Sequence, residues 1–135
     1  MKRMLPLLLC LLLLLTSCTL TPDIENHAWQ MISVQRADDG TIIYAASEDI
    51  ADVPQLVLSC TAEDGTLTLL VENSGQTFRG SYFRSEESAG TKRYVINLEG
   101  IEGSATTGWT SYANGTQIPT LIIELNGHVL NYQGN

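Results

Sequence analysis

Apolar and polar residues alternate with a period of two along most of the chain after residue 27, which is the pattern of strands with one buried face. One such run places Leu67, Leu69 and Val71 on the same side, and similar runs lie at 94–98 and 121–125. The alternation predicts nine strands, at about 28–36, 41–46, 55–62, 66–72, 76–84, 92–99, 104–112, 117–125 and 128–133.

Pairs of turn-forming residues separate the predicted strands. The pairs tolerate positive φ and favour two-residue hairpins. They are Asp39-Gly40, Asp64-Gly65, Asn114-Gly115 and Asn126-Gly127, with Ser74-Gly75 as a weaker fifth. Residues 47–53 predict at most one helical turn, which Pro54 would end.

Consecutive strands joined by tight turns form an antiparallel up-and-down meander. A long open meander exposes two strand edges, and closure removes them. The sequence therefore predicts an all-β fold, a closed barrel of eight to nine strands, with an open sandwich as the alternative. A barrel of this size encloses side chains or one small ligand.

The first seventeen residues have the three parts of a secretory signal peptide. Lys2 and Arg3 form a basic start, an apolar stretch covers 5–15, and small residues follow. The junction Leu15-Thr16-Ser17-Cys18 resembles the bacterial lipobox. This resemblance implies cleavage before Cys18, a diacylglycerol on its thiol, and anchoring to the extracytoplasmic face of a bacterial cell membrane. The alternative is an ordinary secretory signal.

The predicted organisation has three parts: a lipoprotein signal peptide at 1–17, a lipidated N-terminus and tether at 18–26, and a β-barrel domain at 27–135. Pro22 and the lack of apolar periodicity predict no packed structure over 19–26. A fully extended tether of that length would reach roughly 30 Å.

The acidic composition narrows the range of partners. The chain carries a net charge of −8, and loss of Lys2 and Arg3 would take it to about −10. Nucleic-acid binding requires a basic surface and is excluded, as is binding to anionic lipid through a basic patch. The only predicted contact with a membrane is through the lipid on Cys18, and a monomer is expected.

The cysteines predict a domain without a disulfide. Cys10 would leave with the signal peptide and Cys18 would be acylated, so Cys60 has no intrachain partner. Cys60 alternates with Leu56 and Leu58, which favours a small buried apolar role. A reactive thiol or an intermolecular bridge is the alternative.

No catalytic or metal-binding constellation stands out, so the prediction is a protein that is not an enzyme and needs no cofactor. His27 and His128 lie at opposite ends of the domain sequence, but the first and last strands of a closed barrel are neighbours, so the two side chains could approach one another. No metal-ligand spacing surrounds them. Arg79 and Arg84 have opposite parity, so at most one can face the interior, and both are expected at solvated rims.

Aromatic residues are the remaining candidates for a site. Inward-facing aromatic residues line many ligand pockets, although they can equally fill a core. The candidate ligand-binding residues are Trp29, Tyr44, Phe78, Tyr82, Tyr94 and Trp109.

Two family resemblances extend this picture. Trp29 in His27-Ala28-Trp29 resembles the tryptophan that opens lipocalin and other calycin barrels, and Trp29 with Gly80-Ser81-Tyr82 is similar to uncharacterised clostridial lipoproteins. Leu58-Ser59-Cys60 followed by Asp64-Gly65, and the segment 88–94, resemble membrane-bound inhibitors of C-type lysozyme.

The first resemblance implies a non-enzymatic, membrane-anchored protein that binds a small apolar ligand inside its barrel. The second implies a protein-interaction module, such as an inhibitor of lysozyme or another hydrolase, acting through the loops 85–91 and 99–104. An envelope-maintenance lipoprotein with no small ligand is a third possibility.

Overall fold

The computed structural model describes residues 21–46, 58–72, 74–88 and 90–135. The predicted signal peptide, Cys18 and the predicted helical turn at 47–53 lie outside the described residues. The strands are β1 (Trp29–Arg36), β2 (Ile42–Ala45), β3 (Leu58–Glu63), β4 (Thr66–Val71), β5 (Thr77–Ser88), β6 (Thr91–Leu98), β7 (Ile101–Ser111), β8 (Gln117–Leu125) and β9 (His128–Gln133). All nine predicted strands are confirmed.

The strands close into a barrel. From β3 to β9 each strand pairs antiparallel with the next along the chain, and β1 closes the ring by pairing with both β9 and β3. Eight strands thus form the barrel, and β2 is a ninth that pairs only with β1 among the described strands. The predicted closed meander is confirmed, and the open sandwich is wrong.

β2 and β3 lie along the same edge of β1 and run in the same direction. Ala45 lies opposite Ser33, and the Ala46 N–H donates to the Ile32 carbonyl oxygen at 2.8 Å. Ser59 lies opposite Gln30, so Leu58 continues the register one position after Ala46. Two strands therefore share one position in the barrel wall.

Two of the five predicted turn pairs have the expected backbone. Both turn residues have positive φ in Asp64-Gly65 (49° and 78°) and Asn126-Gly127 (51° and 74°). A further two-residue turn occurs at Glu99-Gly100 (51° and 88°), where the sequence predicted a longer loop over 99–104. Glutamate rarely adopts positive φ, so this turn carried no sequence signal.

Alternation places one face of each strand inside the barrel. The buried cluster contains apolar residues from seven strands: Trp29, Met31, Leu58, Cys60, Ala62, Leu67, Leu69, Val71, Tyr94, Ile96, Leu98, Ala105, Leu121, Ile123, Leu130 and Tyr132, together with Ile24. Gly80 and Gly103 flank β6 on either side, where a Cβ atom would collide with backbone oxygens of neighbouring strands. The barrel wall depends on these close backbone approaches.

The segment before β1 is part of this core. Pro22 is buried and Ile24 is 0 % exposed. The prediction that 19–26 lacks packed structure is therefore wrong for the part of it that contains Pro22 and Ile24. Although the run has no periodicity of its own, the barrel provides an apolar interior for these two side chains.

The two ends of the barrel differ in what they carry. We call the end that receives this segment the plugged end; it also carries the β3–β4, β5–β6 and β7–β8 hairpins and the C-terminus. The far end carries the β1–β2, β4–β5, β6–β7 and β8–β9 hairpins.

Candidate functional site

Side chains from four strands converge on residues 22–25, which we call the N-terminal segment. Thr107 Oγ1 donates to the Pro22 carbonyl oxygen at 2.7 Å, and Trp29 Nε1 donates to the Ile24 carbonyl oxygen at 2.8 Å. The Ile24 N–H donates to Tyr94 Oη at 3.2 Å. Backbone carbonyl and N–H groups of the segment are therefore hydrogen-bonded by side chains of the barrel, as polar groups buried in an apolar interior require.

The two acidic residues of the segment also have partners on the barrel. Asp23 Oδ2 lies 3.4 Å from Lys92 Nζ, and Tyr94 Oη donates to Asp23 Oδ1 at 3.3 Å. Tyr82 Oη donates to Glu25 Oε1. The plugged end therefore binds the N-terminal segment through its backbone, its carboxylates and one aliphatic side chain.

The ionisation of these groups reflects their surroundings. Partial burial opposes ionisation of Asp23, but the Glu25 N–H and the Lys92 ammonium stabilise the carboxylate, and the net effect lowers the pKa of Asp23. Burial raises the pKa of Tyr82 and of Tyr94, and hydrogen bonds to nearby carboxylates raise them further. At neutral pH the phenols are protonated donors and Asp23 is an acceptor.

Three of the six predicted ligand-binding aromatics meet at this place. Trp29 and Tyr94 are buried and both hydrogen-bond to Ile24. Tyr82 packs edge-on against Tyr94 with ring centroids 6.0 Å apart. These three side chains contact the N-terminal segment, so the site is occupied by the chain itself.

The other three predicted aromatics lie elsewhere in the barrel. Trp109 shares the inward face of β7 with Thr107 near the plugged end and is half-buried. Tyr44 and Phe78 pack against the core from the half of the barrel nearer the far end. The structure therefore does not gather all six around one cavity.

Sequence analysis missed Thr107, Lys92 and the N-terminal segment itself. A signal existed on β7, where the alternation puts the small residues Ala105 and Thr107 at successive inward positions. Small inward side chains leave space in a closely packed interior, and something else must fill it. The chain before β1 supplies that material.

Cys60 is a free thiol with 0 % exposure. Burial raises its pKa to about 12, so the reactive thiolate is disfavoured. The predicted buried apolar role on a face shared with Leu58 is confirmed, whereas Leu56 lies outside the described residues. Tyr132 is 1 % exposed, its pKa is raised by burial, and its hydroxyl has no hydrogen-bond partner among the described residues.

The two histidines lie at opposite ends of the barrel. His27 is at the plugged end, where its ring lies 4.9 Å from that of Trp29, and His128 is at the far end opposite Arg36. The suggestion that the two histidines approach one another is wrong, because β1 and β9 pair along their whole length. Within the described part of the chain, no three His, Cys, Asp or Glu residues are grouped to hold a metal ion.

Both arginines of β5 are solvent-exposed, as predicted. Arg79 is exposed, and Arg84 is half exposed and lies 3.4 Å from Glu87. The segments 85–91 and 99–104 lie at opposite ends of the barrel, and most of each is strand rather than loop. A single partner surface made from both of them is therefore wrong.

Two depressions on the outer surface are open to solvent. One, of about 380 Å³, lies at the plugged end between Ala28, Pro119 and Asn135. The other, of about 490 Å³, lies at the far end between Arg36, Asp38 and His128. Neither is lined by the predicted aromatic residues, so the interior of the plugged end is the stronger candidate.

No protein-family model, curated protein or solved structure matches the chain. The closed barrel agrees with the lipocalin-like architecture expected from the sequence, while the lipoprotein and lysozyme-inhibitor resemblances remain predictions. The described residues contain no helix long and apolar enough to cross a membrane.

Proposed function

We propose that this chain is an exported, lipid-anchored, non-enzymatic binding protein whose ligand site is the interior of the plugged end. The observation that carries the proposal is the burial of the Ile24 side chain in the apolar core, while polar side chains of the barrel bind the backbone of the segment. When the N-terminal segment leaves, an apolar space with a small set of placed polar groups remains. That combination is typical of ligand pockets, whose volumes are about 300–1,000 Å³.

The groups around the segment define the ligand chemistry. The space that the Ile24 side chain fills would accept the apolar chain of a ligand. Trp29 Nε1 and Thr107 Oγ1 would donate hydrogen bonds to oxygen atoms of the ligand. Lys92 Nζ, with a side chain only 14 % exposed, faces a carboxylate in the present arrangement. The ligand class is therefore a small amphipathic molecule with an apolar part and a carboxylate.

Ligand capture tests this proposal. Dodecanoate, a single apolar chain with one carboxylate, would be the probe for native mass spectrometry and calorimetry. We expect Ile24→Asp to expel the segment, because a buried unpaired charge is strongly disfavoured, and to bind dodecanoate more tightly than the unaltered protein. Ile122→Asp is the matched control, since Ile122 is an outward residue that is 40 % exposed.

The charge contact provides a second arm. In the Ile24→Asp background, Lys92→Gln removes the cation expected to meet the carboxylate, and binding should weaken. A folded Ile24→Asp protein that takes up no dodecanoate would reject the amphipathic-ligand proposal. Circular dichroism establishes that each variant is folded.

A second candidate is a rigid protein-interaction module in which the N-terminal segment stays in place. The packed interior of the barrel favours this candidate. Ile24 belongs to the apolar core cluster, so the N-terminal segment acts as a structural part of the barrel. Failure of dodecanoate to bind, together with strong protection of the amides of residues 23–25 from hydrogen exchange, would favour this candidate.

The anchor has its own test. Metabolic labelling with palmitate should label the protein, and Cys18→Ala should abolish both the label and sedimentation with membranes. An unlabelled chain released to the medium would refute the lipoprotein assignment.

A further inference from the structure

The N-terminal segment fixes where the chain leaves the barrel. Its Pro22 carbonyl is hydrogen-bonded to Thr107, and Asp23 is paired with Lys92, both at the plugged end. Only three residues, 19–21, separate Pro22 from Cys18. The anchoring residue is therefore close to a fixed point on the barrel.

The reach of this connection is short. An extended chain spans at most about 3.6 Å per residue, so the Cα atoms of Cys18 and Pro22 are no more than about 14 Å apart. The unpacked tether expected from the sequence would reach roughly twice as far. A diacylglycerol on Cys18 would hold that residue at the headgroup region, and the plugged end with it.

The far end is well separated from this attachment. β8 runs from one end to the other over nine residues. At about 3.3 Å per residue and a tilt of roughly 40°, this corresponds to roughly 23 Å along the barrel axis.

The exposed Tyr112 favours the same orientation. It starts the β7–β8 turn at the plugged end, and tyrosine is favoured at membrane interfaces. Charge does not distinguish the two ends, because acidic residues lie at both. The far-end turns contain Asp38, Asp39, Glu72 and Glu99, and the plugged end carries Asp23, Glu25, Glu63, Asp64, Glu86 and Glu87.

We infer that the anchored protein stands on the lipid bilayer with its plugged end facing the headgroups and its far end projecting away. The inference rests on the lipid anchor of the proposed function. It makes the bilayer interface the surface that the plugged end contacts, so a ligand that reaches the barrel interior arrives from the membrane side.

Förster resonance energy transfer from a dye on the protein to a dye at the bilayer surface tests this orientation. Acylated protein would be reconstituted in vesicles of phosphatidylcholine and phosphatidylglycerol that carry a headgroup acceptor dye. A donor dye would be placed by Ala113→Cys at the plugged end or by Ala37→Cys at the far end, since both alanines are exposed turn residues. Acylated Cys18 has no free thiol and Cys60 is buried, so labelling is selective.

We expect transfer to be several-fold stronger from position 113 than from position 37. Inserting about ten Gly and Ser residues between positions 20 and 21 lengthens the tether without touching the docked segment, and should reduce the difference. Equal transfer from both positions at the native tether length, or stronger transfer from position 37, overturns the inference.

Intact mass separates the possible failures. A mass without the diacylglycerol refutes the anchor, and with it both the lipid-anchored part of the proposed function and this orientation. An acylated protein with equal transfer from the two positions refutes the orientation alone.

Discussion

Replacing Ile24 by alanine tests whether the N-terminal segment belongs to the folded core. The side chain is 0 % exposed, and the change removes three carbon atoms. At about 0.8 kcal/mol for each buried methylene, the loss of apolar burial alone is roughly 2.4 kcal/mol. Buried isoleucine-to-alanine changes range over about 2–5 kcal/mol, and a segment near the chain terminus can relax into the space, so the low part of that range is expected.

Urea denaturation of the mature chain measures this change. With a slope of about 1–3 kcal/mol per molar urea, the unfolding midpoint should fall by roughly 1–2 M. Ile122→Ala is the matched control, because Ile122 faces outward and is 40 % exposed, and its midpoint should change much less. Equal midpoints for Ile24→Ala, Ile122→Ala and the unaltered chain would refute the view that the segment stabilises the barrel.

The same structure gives four further expected results. Thr107→Val removes the donor to a buried carbonyl of the segment, so it should lower the unfolding free energy by about 1–3 kcal/mol in urea titrations, whereas the exposed Thr110→Val should not. Cys60 should resist iodoacetamide in the folded protein and react in denaturant, as peptide mapping would detect, because burial raises its pKa to about 12. Asp23 has a lowered pKa, so its contribution to docking should persist above the ordinary aspartate pKa of about 4 and be lost as the pH falls through the lowered value. The hydrogen-exchange protection factors of the segment, which correct for the pH dependence of intrinsic exchange, should fall over that range, and Asp23→Asn should reduce this pH dependence. Gly80→Ala should lower the thermal midpoint, because its Cβ would collide with the backbone of β6.

The barrel could be predicted because its information is local. Period-two alternation located every strand, and dipeptides such as Asp64-Gly65 located the turns between them. The inward face followed from the same pattern, since Leu67, Leu69 and Val71 are all buried as predicted. Closure was favoured over an open sandwich because it removes the exposed strand edges.

Packing of the N-terminal segment could not be predicted because the residues that bind it are distant in sequence. The Pro22 carbonyl is bound by a side chain 85 residues away, and the Ile24 N–H by one 70 residues away. A lone isoleucine in a polar run has no period to indicate burial. Its environment is set by the small inward residues Ala105 and Thr107, whose effect depends on the closed barrel.

The junction of β2 and β3 was missed for a related reason. Separate strands at 41–46 and 55–62 are visible in the sequence, but their sharing of one edge of β1 depends on register. Alternation identifies strands and faces, but it does not specify which strands continue one another.

Docking of the N-terminal segment links ligand affinity to membrane geometry. If docking contributes about 2.4 kcal/mol, a ligand that needs the same space binds roughly 60-fold more weakly to the plugged barrel than to the released one. Release also extends the free connection from Cys18 to the start of β1 at Trp29, a chain of eleven residue steps that spans up to about 40 Å. Saturation with dodecanoate should therefore reduce energy transfer from position 113 to the bilayer. Unchanged transfer on saturation would mean that the ligand and the segment occupy different places.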